Sequence, residues 1–266
     1  MTIGLTTPHR KYLSWAESTV GLRGKHVLEI GGCSPVQEIL SLSPRSWTCV
    51  NLDSAGVERF NRDADALDAS NFLAVTQDAS TIRMDRKFSV VYSINSFEHI
   101  SNLALTVEKI RQSLDVDGVL FTVFGPIWSA DVGHHLSIPT DNGPLEMFDG
   151  VLRPWEHLTS TPRQILERLT PSFGSVVAQR VIDYVYSYPD LNRLSEREYD
   201  EILSQSGLFP VMIIKRKAGP RLPPAGASRT RELLWVLRNG RASILDRARA
   251  RVGFAIGFLK SRIATA

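Results

Sequence analysis

The apolar run Val27-Leu28-Glu29-Ile30 stops at Gly31-Gly32, and Val36-Gln37-Glu38-Ile39-Leu40 then opens a helical pattern. A short strand that turns at glycine into a helix leaves few architectures open. The commonest is the βα unit of an α/β sheet, whose turn forms a mononucleotide pocket. Glycine lets the backbone bend and approach a ligand where a Cβ would intervene. Glu29 interrupts the run, and a carboxylate near the end of a central strand costs free energy unless something pairs with it. Taken alone, the stretch reads equally as a βα turn with a partly solvated Glu29.

The rest of the chain repeats the unit. Residues 8–20 predict a leading helix, with Tyr12, Trp15 and Val20 on its packed face. Strand patterns follow at 47–52, 72–76, 88–94 and 119–124, with 60–69 as loop or short helix. Leu103, Val107, Ile110 and Leu114 recur at steps of four, three and four, which marks an amphipathic helix. Alternating β and α patterns predict an α/β, Rossmann-like doubly wound sheet, mostly parallel. After Gly125-Pro126 the alternation breaks. Residues 127–155 are irregular and rich in Pro, Gly, Trp and His, too long for an ordinary connection, and read as a lid or substrate loop. A helix is expected over 161–169, with Pro162 in its first turn, then a sixth strand at 181–186. Ser195 as N-cap, Glu198 three residues on and Gly207 as a stop predict a helix over 194–207. A final strand at 210–216 is expected to pair with the sixth. Residues 218–229 have linker composition. Beyond them Ile244, Ala248, Val252, Ala255, Leu259 and Ile263 form an apolar stripe flanked by arginines. The expected division is a domain over 1–218, with 125–160 as its substrate lid, and a basic linker with an amphipathic helical tail over 219–266.

No apolar run approaches the roughly 20 residues needed to cross a bilayer, and residues 1–10 lack an apolar signal core. Cys33 and Cys49, the two cysteines, sit in or beside strand patterns. Buried free thiols in a reducing cytoplasm fit better than a disulfide, and no cysteine-rich zinc site can form. The net charge of +3 hides an asymmetry: residues 217–266 carry +9 and residues 1–216 carry −6. Such a tail meets its own acidic body, a second subunit or an anionic surface.

Acids stand at three consecutive strand ends: Glu29, Asp53 and Asp78. Asp53 is positioned to accept both hydroxyls of a ribose, and Asp78 an exocyclic adenine amine, with the Ala79 amide facing a ring nitrogen. A single strand-end acid is as often a helix cap, but three in order point to one ligand. With Glu29-Ile30-Gly31-Gly32, Asn51-Leu52-Asp53, Thr76-Gln77-Asp78-Ala79, Asn95-Ser96-Phe97-Glu98-His99 and Leu114-Asp115-Val116-Asp117-Gly118, residues 8–216 resemble the class I S-adenosylmethionine-dependent methyltransferases. The resemblance implies a reversed last strand and an S-adenosylmethionine cofactor. Glu29, Gly31, Gly32 and Asn95 would lie at its methionine part, Asp53 at the ribose, and Asp78 with Ala79 at the adenine. The family's acid-x-Gly-x-Gly-x-Gly run is kept only at Gly31; Cys33 and Pro35 occupy the other two glycine positions.

A sulfonium is already an activated methyl donor, so the protein must position the acceptor and, for a hydroxyl, remove a proton. His134 and His135, on the loop leaving the fifth strand, are the expected bases. Glu98 and His99, joined by His134 and His135, are similar to a divalent-metal set in two related methyltransferase groups, which makes a metal-dependent O-methyltransferase an alternative. A non-catalytic cofactor-binding module is another. Trp128, Phe148 and Trp155 suit the wall of a small-molecule or glycan acceptor pocket. The partners expected for the tail helix are a peripheral membrane surface or a second copy. Nucleic acid is disfavoured because the basic tail is read as carrying no interleaved, solvent-facing aromatics. The reading is a cytoplasmic or membrane-peripheral transferase that methylates oxygen.

Overall fold

The computed structural model describes the backbone of residues 7–263 and the side chains of residues 10–259. The first six residues, on which the absence of a signal core was partly read, lie outside it, as does the side chain of Ile263. A helix α1 (Thr7–Val20) leads into β1 (His26–Ile30), α2 (Val36–Leu42), β2 (Ser46–Asn51), α3 (Ser54–Ala66), β3 (Phe72–Thr76), β4 (Phe88–Ile94), α4 (Leu103–Ser113) and β5 (Leu114–Phe124). The excursion that follows holds a two-residue-strand hairpin, β6 (Ser137–Ile138) with β7 (Leu145–Glu146), then α5 (Glu156–Thr159) and the long α6 (Pro162–Ser187). The chain returns through α7 (Glu196–Gln205) to β8 (Phe209–Lys217), β9 (Thr230–Arg238) and α8 (Ile244–Ile263).

The main sheet has the order β3-β2-β1-β4-β5-β9-β8. β1 pairs in parallel with β2 and β4, and β9 runs antiparallel to both β5 and β8. β9 alone is therefore reversed. The expected doubly wound, mostly parallel sheet with a reversed last strand is present, but the reversed strand is residues 230–238 rather than 210–216. Strand alternation divides the core. Val27, Trp47, Cys49, Tyr92 and Phe121 face α1, α2 and α3, while Leu28, Val91, Leu120 and Trp235 face α4 and α7.

One further expectation changes, and the helix rather than the loop is found at 60–69. Residues 181–186 form the last turns of α6, not a strand. Their β-branched and aromatic content favours a strand, yet Ala178, Val181, Ile182 and Val185 share a helical face. That face is buried against Leu136, Ile138 and Leu152 of the excursion. Packing overrides the local preference. Residues 60–69 fall largely within α3, where Val57, Phe60 and Ala64 are buried at helical spacing. The predicted helix over 194–207 holds: Ser195 and Glu198 form a reciprocal capping box.

Candidate active site

In this strand order the direction of winding reverses between β1 and β4. Their carboxyl ends flank a crevice where open α/β sheets bind ligands. A cleft of about 510 Å³ opens there, within the usual range for small-molecule sites. It is lined by Gly31 and Asn95, by Asp78 and Ala79, and by His99 with Tyr184 of α6 and Tyr188 just beyond the end of that helix. A groove of similar size between α1 and α2 includes no strand end.

The glycine pair is explained by its neighbours. Gly31 has φ of 78°, and a Cβ there would run into the Ser96 side chain. A Cβ on Gly32 would sit 2.8 Å from Glu29 Oε1. Gly31 thus lets the turn after β1 close against Ser96, while Gly32 leaves room for a buried carboxylate. That carboxylate is committed to the loop. Glu29 accepts from the Ser34 amide (3.1 Å to each oxygen), the Ser34 hydroxyl (2.7 Å), Trp47 Nε1 (2.7 Å) and the Cys49 thiol (3.3 Å). It fixes the turn from beneath and does not line the cleft. Cys33 and Cys49 are both free thiols, though Cys33 is only half-buried. A hydrogen bond between them lowers the pKa of Cys33, while burial raises that of Cys49.

Asp53 and Asp78 both cap helices. Asp53 Oδ1 accepts from the Ala55 amide at 3.1 Å, and Asp78 Oδ1 from the Ser80 amide at 2.7 Å. Asp78 lines the cleft. Asp53 is exposed, one residue beyond the lining residue Leu52. Asn95 adopts φ of 49°, which asparagine tolerates better than most residues.

The histidines divide differently from expectation. His134 is fully buried: its Nδ1 accepts from the Leu136 amide at 3.1 Å, so Nε2 carries the proton and has no partner. His157 Nε2 donates to the Trp128 carbonyl at 2.8 Å, leaving its Nδ1 lone pair unmet. The two rings lie 5.4 Å apart and are complementary, donor to acceptor. His135 Nε2 donates to the Pro126 carbonyl. Burial drops the pKa of His134 to about 3 and those of His135 and His157 to about 4. None of the three lines the cleft. The loop that carries His134 and His135 folds inward because Asp131 forms a two-pronged pair with Arg231 (2.6 and 2.7 Å), and Trp155 Nε1 donates to Ser228 O at 3.0 Å.

His99 is the histidine of the cleft. Its Nδ1 donates to the Asp190 carbonyl at 2.7 Å, which leaves Nε2 with a free lone pair. Asn192 holds the turn that bears it, donating to the carbonyls of Phe97 (2.6 Å) and Ile100 (3.1 Å). The neighbouring Glu98 is buried below. Its Oε1 accepts from the Gly125 amide at 2.9 Å, its Oε2 has no partner, and burial lifts its pKa to about 8. Of Glu98, His99, His134 and His135 only the rings of His99 and His135 meet, 5.2 Å apart, and among the described residues no three His, Cys, Asp or Glu side chains could hold a metal ion. This donor set does not fit a divalent metal.

Sequence reasoning missed Tyr184, Tyr188 and Asp190. Tyr184 and Tyr188, stacked 4.6 Å apart at the end of α6, were assigned around a strand. Their spacing of four, one helical turn, was the available signal. Trp155 packs in the lid, and Phe148 is exposed beneath the Arg231 guanidinium.

No protein-family model matches the sequence, and no curated protein is a significant sequence match. Many solved structures match by fold. An S-adenosylmethionine-dependent methyltransferase from Mesorhizobium loti is 11% identical over 86% of this chain and 97% of its own, with a TM-score of 0.55. A Listeria monocytogenes protein provisionally assigned to the same enzyme type is 12% identical over 87% and 98%, at 0.53. The YcgJ protein of Bacillus subtilis is 15% identical over 88% and 100%, at 0.52. With the single reversed strand between β5 and β8, these likenesses identify the fold as that of the class I S-adenosylmethionine-dependent methyltransferases.

Proposed function

We propose that the chain binds S-adenosylmethionine in the cleft at the ends of β1 to β4 and methylates a hydroxyl of a small-molecule or sugar-containing acceptor, with His99 as general base. The carrying observation is the fixed tautomer of His99: Nδ1 is spent on the Asp190 carbonyl and Nε2 is open in the cleft wall. The loop histidines expected from the sequence lack such access, being buried with their nitrogens turned into the protein.

The residues present fit the cofactor. Gly31 lines the cleft without a side chain, its turn closed against Ser96. Asp53 and Asp78 each use one oxygen as a cap, and no hydrogen bond occupies the other among the described residues, so each can accept from a ribose hydroxyl or an adenine amine. When bound, the cofactor supplies an activated methyl group. His99 Nε2 would take the acceptor's hydroxyl proton while the methyl carbon exchanges its bond to the sulfonium sulfur for one to the acceptor oxygen, leaving a neutral thioether, and Asn192 with Asp190 keeps the ring oriented. The Tyr184–Tyr188 pair offers a flat apolar face to a sugar or aromatic acceptor.

Calorimetry with S-adenosylmethionine and its demethylated product tests the pocket, and labelled-methyl transfer to a panel of hydroxylated acceptors tests the chemistry. Asp53→Ala is expected to weaken cofactor binding severely. His99→Ala should lower kcat on the order of a hundredfold or more with little change in cofactor affinity. Absence of cofactor binding by the wild type overturns the reading. Binding without transfer to any acceptor favours the non-catalytic module.

A further inference from the structure

Helix α8 is apolar on two opposite faces. One is used: Ala250 and Gly253 are buried, Gly253 lies so close to the Ser18 carbonyl that no Cβ would fit, and Phe254 and Phe258 pack on Trp15 at 5.1 and 5.8 Å. The other points away from the protein. At 100° per residue Leu245, Ala248, Val252, Ala255, Ile256 and Leu259 fall in one stripe, and all six are exposed, Leu245 at 66% and Val252 and Leu259 at 60%. Arg249 borders the stripe on one side, Arg247 and Arg251 on the other. All three are exposed and form no ion pair among the described residues. The helix's one acid, Asp246, is turned inward, capping Ser243 and pairing with Arg238 at 2.8 Å. The outward face therefore presents an apolar centre, cationic edges and no negative charge.

We infer that α8 docks the protein on the surface of an anionic lipid bilayer. The stripe enters the acyl boundary and the arginines meet lipid phosphates, the arrangement of an interfacial helix. No helix of the described residues is long and apolar enough to cross a membrane, so α8 lies in the plane. A second copy is a poorer occupant. A two-fold pairing of these faces sets arginine flank against arginine flank with no acid to receive it. Nucleic acid would leave the apolar centre unmatched.

The test is flotation of the full chain with phosphatidylglycerol/phosphatidylcholine vesicles and with phosphatidylcholine alone, at low and high salt. Binding to the anionic vesicles is expected to be strong, weak on neutral lipid, and reduced by salt. Val252→Asp with Ile256→Asp should abolish it, and because both side chains point outward, the thermal midpoint and cofactor affinity should stay unchanged. Arg249→Ala and Arg251→Ala should each weaken binding about fivefold. Absence of binding to anionic vesicles, equal binding to both lipids, or a dimer by analytical ultracentrifugation that Val252→Asp dissociates would overturn the assignment.

Discussion

Glu29 shows how one side chain sets a loop. It is 3% exposed, and its two oxygens receive the Ser34 amide and hydroxyl, the Trp47 indole N–H and the Cys49 thiol. A carboxylate is acceptor-only, and each of these neighbours donates. Glutamine has the same shape but turns an N–H toward at least one of those donors. Glu29→Gln is therefore expected to destabilise the fold by about 2 kcal/mol, the cost of a buried donor left unmet. It should also loosen the turn at the cleft and weaken the cofactor binding proposed there. Urea unfolding checks the first and calorimetry the second; a variant as stable as wild type would show that the carboxylate's charge is not used. The residue was conspicuous in the sequence because a strand does not bury an acid without partners. Its true partners were not visible there, since Trp47 lies 18 residues away and a serine in a turn carries no signal of its own.

At the level of elements, legibility followed the kind of signal. Helices with a clean apolar period, such as α4, or a capping signal, such as α7, could be read directly, as could β4 and the strands β1, β2 and β3 with their strand-end acids. Elements whose type depends on what they pack against could not. The end of α6 reads as a strand until the excursion supplies a partner for its helical face. β9 was overlooked within a basic segment, although Leu233-Leu234-Trp235-Val236-Leu237 is a continuous apolar run suited to a strand buried on both faces. The consequence is that the sheet does not end at residue 218. β9 fills the gap between β5 and β8, and Arg231 in it anchors the excursion through Asp131. A chain ending at residue 218 leaves both strands with open edges and is expected to show no cooperative unfolding. One ending at residue 240 keeps β9 and should retain a cooperative transition at a lower midpoint, having lost the α8 cover on Trp15. Circular dichroism melts of the two chains decide this, and a cooperative melt of the shorter one would refute it.

Across the whole molecule, the tail's positive charge is partly spent within the body: Arg231 pairs with Asp131, and Arg238 with Asp117. The buried ionisable groups then determine how stability responds to pH. His134, His135 and His157 are held neutral down to about pH 3 to 4, whereas in an unfolded chain they protonate near 6.5. Between those values the unfolded state binds more protons, so their contribution falls as pH drops below about 6.5. Glu98 works in the opposite sense. Its folded pKa of about 8 lies above its ordinary 4.5, so the folded state holds the extra proton between them. Its contribution therefore falls as pH rises through that window and levels off above about 8. Below about pH 6.5 the three histidines outweigh the one carboxyl, and above it the carboxyl outweighs them. Stability should peak near pH 6.5 and decline by about 2 kcal/mol toward pH 8, since each bound proton is worth about 1.4 kcal/mol per pH unit. Glu98→Gln, a neutral mimic of the buried acid that still accepts from the Gly125 amide, is expected to flatten the alkaline limb and leave the acid limb intact. Urea unfolding at pH 5, 6.5 and 8 for both proteins measures the two limbs separately. An alkaline slope unchanged in Glu98→Gln would assign that limb to a different group.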